Sequence, residues 1–252
     1  AFQDHSINYV FYNLDPSALC ADPVTTFEST GCPMYLYDDN HLNDIEYLLN
    51  KDVLFEKIPY MIAQSLTGDY DEGNSYNWAQ WKSFNEDMIL GLYIRKMNIE
   101  DMKPETCYQD KLDGNLALLC AEIEAHPETQ FKISIPPYSM LWWDNIYRNG
   151  ETESYLYNME QAMEKLLTYE NVELYYFLND REIVTDLDNY MDLLHFSPEI
   201  NQYICDSMIR NDHKVTEANC HEIIEDSRSL AYQAVNELIK PYEDRIKVDI
   251  YD

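Results

Sequence analysis

An aspartate and a histidine three positions apart, Asp192 and His195, are the residues of this chain whose types and spacing could do chemistry. They lie in residues 188–201, a stretch that ends in a helix start, because Ser197 is a good N-cap residue and Pro198 suits the first helical position. At this spacing in a turn both side chains point the same way, so the carboxylate can accept a hydrogen bond from one ring nitrogen. Such a pair is a general base for a serine or water nucleophile.

The same spacing also fits other roles. The D-x-x-H pattern occurs by chance in many chains, and an aspartate that caps a turn beside a packed histidine needs no function. A further hypothesis is a metal-dependent hydrolase that uses His195 with nearby acids such as Asp188 and Asp192. The spacing by itself leaves these alternatives open.

Several motifs taken together resemble one superfamily. The run Asp192-Leu-Leu-His195-Phe-Ser-Pro follows a predicted strand and precedes the final helices, and it looks like the last motif of SGNH/GDSL-type hydrolases. Other stretches resemble a bacterial surface branch of that superfamily, related to the D-alanyl-lipoteichoic acid and alginate-acetylation proteins. They are Tyr35-Leu-Tyr-Asp-Asp-Asn40, Leu48-Leu-Asn-Lys-Asp-Val-Leu54, Pro136-Pro-Tyr-Ser-Met-Leu-Trp-Trp143 and Thr185-Asp-Leu-Asp-Asn-Tyr190.

The resemblance implies ester hydrolysis or acyl transfer on a cell-surface glycan or polymer, with His195 as the base and Asp192 orienting it. Members of the superfamily carry their nucleophile in a Gly-Asx/Thr-Ser block after the first strand. Gly73-Asn-Ser75 is the only Gly-x-Ser here, and it lies in a polar loop with no strand before it. We therefore expect the attacking serine to lie outside this chain. By resemblance, Asn13 at the end of the opening strand is the candidate oxyanion group.

An aromatic loop is predicted where a substrate would lie. Residues 131–136 read as a strand after a helix over Asp113–His126, and parallel α/β folds bind ligands at the carboxyl edge of the sheet. Two consecutive tryptophans cannot both face inward on a regular strand, so at least one should line a pocket or a partner surface. Packing against the following helix is the alternative. The candidate substrate-binding residues of this loop are Tyr138, Ser139, Trp142 and Trp143.

Strand and helix patterns alternate along the chain, which indicates an α/β fold. Residues 7–14 are apolar nearly throughout, a pattern typical of a strand buried on both faces of a parallel sheet. A helix over 152–168, a strand over 172–178 and two closing helices over 197–210 and 217–238 follow. We expect a three-layer α/β/α arrangement with a mainly parallel sheet, SGNH-like and flavodoxin-like in topology. The opening strand predicts that at least one further strand precedes residue 1.

Length and composition predict one domain over residues 1–252, since 46% hydrophobic content suffices for one sizeable core. A polar, aromatic insertion or lid is expected around residues 67–106. Before it, residues 44–65 keep a helical period and read as one long helix or as two broken near Pro59.

The charge restricts the partners. Forty-seven acidic residues against 17 basic ones give a net charge of −30, which disfavours nucleic acid and anionic membrane surfaces. No apolar run approaches the roughly 18 to 20 residues of a membrane span, so membrane attachment is expected only through a segment outside this chain. The expected partner is a small-molecule or glycan acyl ester, and the resemblance implies an extracellular or cell-surface bacterial location.

No metal or cofactor is predicted. The six cysteines form no C-x-x-C, which argues against a zinc site or a thioredoxin-like motif, and buried free thiols are the default. One or two disulfides are the alternative if the protein is exported. A non-catalytic glycan-binding or interaction module that kept the fold is the second functional hypothesis, favoured by the missing serine block and the 22 tyrosines.

Overall fold

The computed structural model describes residues 6–23, 34–38, 40–68 and 78–249. The chain divides into two compact units, a main unit formed by Ala1–Pro23 with Ser83–Asp252 and an inserted unit formed by Val24–Lys82. The expectation of one domain over residues 1–252 stays a prediction. Residues 69–77 of the expected polar insertion lie outside the described residues.

Helices outnumber strands in the described residues. In chain order the elements are β1 (Tyr9–Asn13), α1 (Pro16–Cys20), α2 (Ile45–Leu48), α3 (Ile58–Thr67), α4 (Glu86–Leu92), β2 (Ile94–Lys96), α5 (Gln109–Ala125), β3 (Gln130–Ile135), α6 (Met140–Arg148), α7 (Thr152–Leu166), β4 (Val172–Tyr176), α8 (Arg181–Val184), α9 (Pro198–Arg210), α10 (Cys220–Gln233) and β5 (Lys247–Asp249). Short 3-10 turns lie at Met34–Tyr37, Trp78–Trp81, Leu187–Asn189 and Lys240–Arg245, and π turns at Val53–Lys57 and Ala234–Leu238.

The main unit is a mixed α/β fold, as the alternating patterns predict. Its larger sheet has the strand order β1-β3-β4, and both pairings are parallel. A separate sheet pairs β2 with β5, also in parallel. Parallel strands need helical crossovers, which is why helices separate β1, β3 and β4 along the chain.

Side-chain alternation on β3 and β4 produces two hydrophobic clusters. Residues such as Ile133 and Leu174, which pair across the two strands, are fully buried in a core shared with α5, α7 and α10. On the opposite face of β4, Tyr175 and Phe177 pack against Ile204 of α9. Helices therefore cover both faces of β4.

The expectation that the opening strand is buried on both faces is wrong. Within the described residues β1 pairs only with β3, so it lies at the edge of the sheet. Tyr9 and Phe11 are 60% and 70% exposed. An apolar run can form an edge strand as well as a central strand, because the residue types in a segment do not reveal how many strands flank it.

The tryptophan pair lies on a helix and not on a strand or loop. Helix α6 begins at Met140, and Trp142 and Trp143 are 2% and 0% exposed. The premise of a strand or loop is therefore wrong, since consecutive residues on a helix differ by about 100° in direction rather than 180°. Both indoles can then be enclosed, and their ring centroids lie 4.8 Å apart. Trp142 nevertheless lines a cleft together with Asp192 and His195.

The inserted unit contains two helical segments, and the break between them lies before the predicted position. Helix α2 ends at Leu48, and Asn50 then accepts a hydrogen bond from the Asp52 amide at 2.8 Å. Pro59 lies shortly after the π turn Val53–Lys57, and the helical backbone continues through it along α3, so it does not break the helix. Among the described residues, no helix combines the length and apolarity required to cross a membrane.

A buried ionic cluster connects α6 to β2. Asp144 is fully buried and accepts hydrogen bonds from the Tyr93 hydroxyl at 2.7 Å and from Arg95 Nε and Nη2 at 2.7 and 2.9 Å. Arg148, one turn along α6, approaches the same carboxylate at 3.3 Å. Burial, followed by the charge of Asp144, raises the pKa of Tyr93 well above its usual range. The buried carboxylate of Asp144 thus receives hydrogen bonds from residues at β2 and on α6.

We expect Asp144→Ala to lower the free energy of unfolding by roughly 3 to 5 kcal/mol, because it leaves the buried Arg95 guanidinium without its bidentate partner. Urea unfolding followed by circular dichroism measures the loss. Glu243→Gln is the control, since Glu243 contacts the same arginine at 3.2 Å but its side chain is 51% exposed. That change should cost less than about 1 kcal/mol, and equal losses for the two variants would contradict the assignment.

Glu173 on β4 provides a pH-dependent contribution to stability. Lys132, and to a smaller extent Lys214, lower its pKa to about 2 against the opposing effect of burial. A carboxylate whose pKa is lowered on folding stabilises the protein above its unfolded pKa, near 4.5 here, and loses that effect as the pH falls toward 2. The difference in unfolding free energy between wild type and Glu173→Gln should be about 1 kcal/mol at neutral pH and shrink over this window. A difference independent of pH would refute this role.

Candidate active site

The loop that carries Asp192 and His195 is closed by its own backbone. Tyr190 and Phe196 form an antiparallel bridge, and the Met191 amide donates to the His195 carbonyl at 2.9 Å. The chain then enters α9 with Pro198 in its first turn, as the sequence predicts. Residues 191–195 are therefore a compact turn held directly ahead of a helix.

The connection between β3 and α6 forms hydrogen bonds to this turn and to Tyr190 directly before it. The buried Tyr190 hydroxyl donates to the Pro137 carbonyl at 2.7 Å. The Ser139 amide and hydroxyl both donate to the Leu193 carbonyl, at 3.1 and 3.2 Å. Ser139 is fully buried and Tyr138 is 5% exposed, so their side chains support the loop and the core.

Asp192 and His195 form the pair that their spacing predicts. His195 Nδ1 lies 2.8 Å from Oδ2 and 3.0 Å from Oδ1 of Asp192. The carboxylate Oδ1 also accepts the backbone amides of Leu194 and His195, both at 2.9 Å. The imidazole side chain is 52% exposed and the carboxylate 31%. One carboxylate thus fixes both the turn and the ring, and about half of the imidazole surface is exposed.

The hydrogen bonds around Asp192 favour its ionised form. Partial burial raises the pKa of Asp192, but the backbone amides of His195 and Leu194, together with the His195 ring, outweigh it and hold the pKa below its usual value. An ionised carboxylate only accepts hydrogen bonds, so neutral His195 must carry its proton on Nδ1. The lone pair is then on Nε2, the nitrogen a general base needs.

A cleft of about 420 Å³ lies beside this pair. Its lining comes from segments that follow the carboxyl ends of β1, β3 and β4, the edge where parallel α/β sheets bind ligands. The lining residues are Ser17 of α1, Trp142, Asn145 and Ile146 of α6, Asn149 and Glu151 after it, Tyr155 of α7, and Asp192 to His195.

Aromatic rings form the apolar part of the cleft. Trp142 contacts Tyr155 at 5.6 Å and Tyr138 at 5.4 Å between ring centroids, in tilted or edge-on arrangements. Burial, with smaller contributions from Cys20 and Glu151, raises the pKa of Tyr155 well above its usual range, so its hydroxyl stays protonated. The Ser17 side chain lines the same cleft. The cleft therefore combines aromatic rings with hydroxyl groups.

Three of the seven candidate residues from the sequence line this cleft: Asp192, His195 and Trp142. The other four do not belong to its lining within the described residues: Tyr138, Ser139, Trp143 and Asn13. Asn13 is exposed at the end of β1, so nothing in the geometry supports an oxyanion role for it. Sequence reasoning missed Ser17, Glu151 and Tyr155, and the one available signal was Asp15-Pro16 directly after a strand, a helix start at the sheet edge.

The acids near the pair do not form a metal site. Asp188 accepts a hydrogen bond from the Glu86 amide at 2.9 Å, which directs its carboxylate to α4. In the part of the chain that the structure describes, no three His, Cys, Asp or Glu side chains are grouped to hold a metal ion. The other histidines of the closing helices are held by single acids: His213 lies 3.5 Å from Asp180, and His221 2.8 Å from Glu160.

Comparisons with known proteins add no assignment, since no protein family, curated protein or solved structure matches this chain. The geometry of the cleft and the chemistry of its residues are therefore the basis on which a function can be argued.

We expect Asp192→Asn to change the tautomer of His195 while keeping the turn. The amide oxygen can still accept the Leu194 and His195 backbone amides, but its NH₂ group now faces the ring and favours a bare Nδ1. Imidazole ¹⁵N shifts at alkaline pH should report protonated Nδ1 in the wild type and protonated Nε2 in the variant. His221→Gln, at an exposed histidine, provides the assignment control. A wild-type ring already protonated on Nε2 would rule out the orienting role of Asp192.

Proposed function

We propose that this chain is an SGNH-like domain, three-layer α/β/α in topology, that hydrolyses or transfers an acyl ester of a cell-surface glycan or polymer. The single observation that carries the proposal is the Asp192–His195 pair, joined at 2.8 Å and half exposed beside the cleft. The parallel sheet with ligand-lining segments at its carboxyl edge supports the same function. The bacterial surface location follows from the motif resemblance and is part of the proposal.

The chemistry assigns each group one task. A serine hydroxyl, supplied outside this chain, attacks the ester carbonyl while His195 Nε2 takes its proton, and the tetrahedral intermediate then expels the alcohol, which receives that proton. Water, or the hydroxyl of an acceptor, repeats the sequence and releases the acyl group as acid or as a new ester. Asp192 stabilises the imidazolium that forms in both halves.

The lining of the cleft supports a glycan as the alcohol part of the ester. A volume of about 420 Å³ suits a small ligand or one or two sugar rings. Trp142 and Tyr155, which are 2% and 8% exposed, contribute the apolar part of the wall, whereas the half-buried Asn145 and Asn149 offer amide donors and acceptors to the hydroxyls of a sugar.

A non-catalytic glycan-binding module is the second candidate. It is favoured by the same aromatic and amide lining, which can bind a sugar without any nucleophile. In that case the Asp192–His195 hydrogen bonds would serve only to hold the turn, and ligand affinity would not depend on the basicity of the ring.

We expect His195→Ala to lower acyl-ester hydrolysis by the protein that carries this chain by roughly 10² to 10⁴-fold, because the base is removed. Acetate release from an O-acetylated oligosaccharide measures the rate. His221→Ala is the control, since that histidine is exposed and bound to Glu160 away from the cleft lining. Equal rates for the two variants and the wild type would exclude His195 as the base.

The variant Ser17→Ala tests whether the attacking serine is Ser17 or a serine outside this chain. Because Ser17 lines the cleft, its replacement should change the Michaelis constant by a few-fold and leave most of the turnover, if the attacking serine lies outside this chain. Loss of turnover as large as that of His195→Ala would instead identify Ser17 as the nucleophile and overturn this part of the proposal.

A further inference from the structure

Glu151 is a rigidly held acid in the cleft that the hydrolytic mechanism does not use. It follows Gly150, which adopts φ +68°, and a Cβ at Gly150 would lie 2.2 Å from the Asp101 carbonyl oxygen. Only glycine fits this turn between α6 and α7. The Glu151 amide then donates to the Ile146 carbonyl at 3.0 Å, so the backbone places this carboxylate at one position of the cleft wall.

In the described part of the chain, donors bind only one of the two carboxylate oxygens of Glu151. The residue is 9% exposed, and both donors that reach its carboxylate, Lys103 Nζ at 2.7 Å and the Tyr108 hydroxyl, contact Oε1. No hydrogen bond from the described residues reaches Oε2. A carboxylate oxygen that receives no hydrogen bond from the protein can accept one from a donor that a ligand brings.

The charges around the cleft indicate which kind of hydrogen-bond donor a ligand would bring to Oε2. All 17 lysines and arginines lie in the described residues, and none of them lines the cleft. Most of those in the main unit are paired with carboxylates, for example Arg228 with Glu153 and Lys111 with Asp22. With a net charge of −30, the surroundings of the cleft attract cations and repel phosphates and carboxylates.

We propose that Glu151 Oε2 binds an ammonium group of the substrate, so that the ester processed in this cleft is carried by an amine-bearing glycan. This inference rests on the proposed function for the ester and adds the charge class of its carrier. A polymer of uronates or sugar phosphates would meet the like charges of Glu151 and Asp192, and Lys103, the cation that pairs with Glu151, does not line the cleft. An amino sugar donates to the acceptor that Oε2 offers and gains from the long-range field as well.

Binding without turnover tests the inference. Titrating the chain with the glucosamine trimer, the N-acetylglucosamine trimer and the galacturonate trimer at about pH 6, where a sugar amine is protonated, compares three charges on similar rings. Calorimetry should give the tightest binding for the glucosamine trimer, by about tenfold over its N-acetylated form, and a weakening as salt increases. The galacturonate trimer should bind weakest.

Glu151→Gln and Glu153→Gln form a matched pair of variants. Both remove one charge near the start of α7, but Glu153 binds Arg228 and Tyr232 and does not line the cleft. The glucosamine preference should fall about tenfold in Glu151→Gln and persist in Glu153→Gln, with thermal unfolding confirming that both variants fold.

Three outcomes would overturn the inference: an equal effect of both substitutions, tightest binding of galacturonate, or no saturable glucosamine binding. Because binding is measured without turnover, each outcome is independent of whether His195 proves to be a catalytic base.

Discussion

The carboxylate of Asp192 is the group on which the site depends. Two backbone amides of the turn and the ring of His195 converge on it within 3.0 Å. The turn therefore cannot rearrange without also releasing the ring, and the ring cannot rotate without leaving its acceptor. A histidine on an open turn would otherwise sample several rotamers, and its proton would move between two nitrogens of similar affinity.

The rest of the main unit serves to place that turn. The loop beyond β3 supplies Ser139 and the Pro137 carbonyl, which hold the turn through Leu193 and Tyr190. The same loop leads into α6, whose Trp142 lines the cleft. A change in the packing of α6 would thus reach both the cleft surface and the base. The buried Asp144 cluster at the far side of α6 gives that helix a fixed orientation.

The sequence predicts what depends on short-range patterns. The Asp–His spacing, the α9 start at Ser197-Pro198 and the alternating burial of β3 could all be derived from neighbouring residues. What could not be derived depends on distant partners. Whether β1 is central or at an edge of the sheet is set by the strands that flank it. The two tryptophans are buried because Pro136 and Pro137 end the strand early and a helix begins after them. Glu151 reaches the cleft only through a glycine turn fitted against Asp101.

The proposed mechanism requires His195 to act on a serine at this cleft. The most direct measurement is a crystal structure of the protein that carries this chain after reaction with a fluorophosphonate, which forms a stable bond to an activated serine. We expect the phosphonylated serine Oγ to lie within about 3 Å of His195 Nε2. A modified serine remote from the cleft, or an unmodified protein that still hydrolyses the ester, would contradict it.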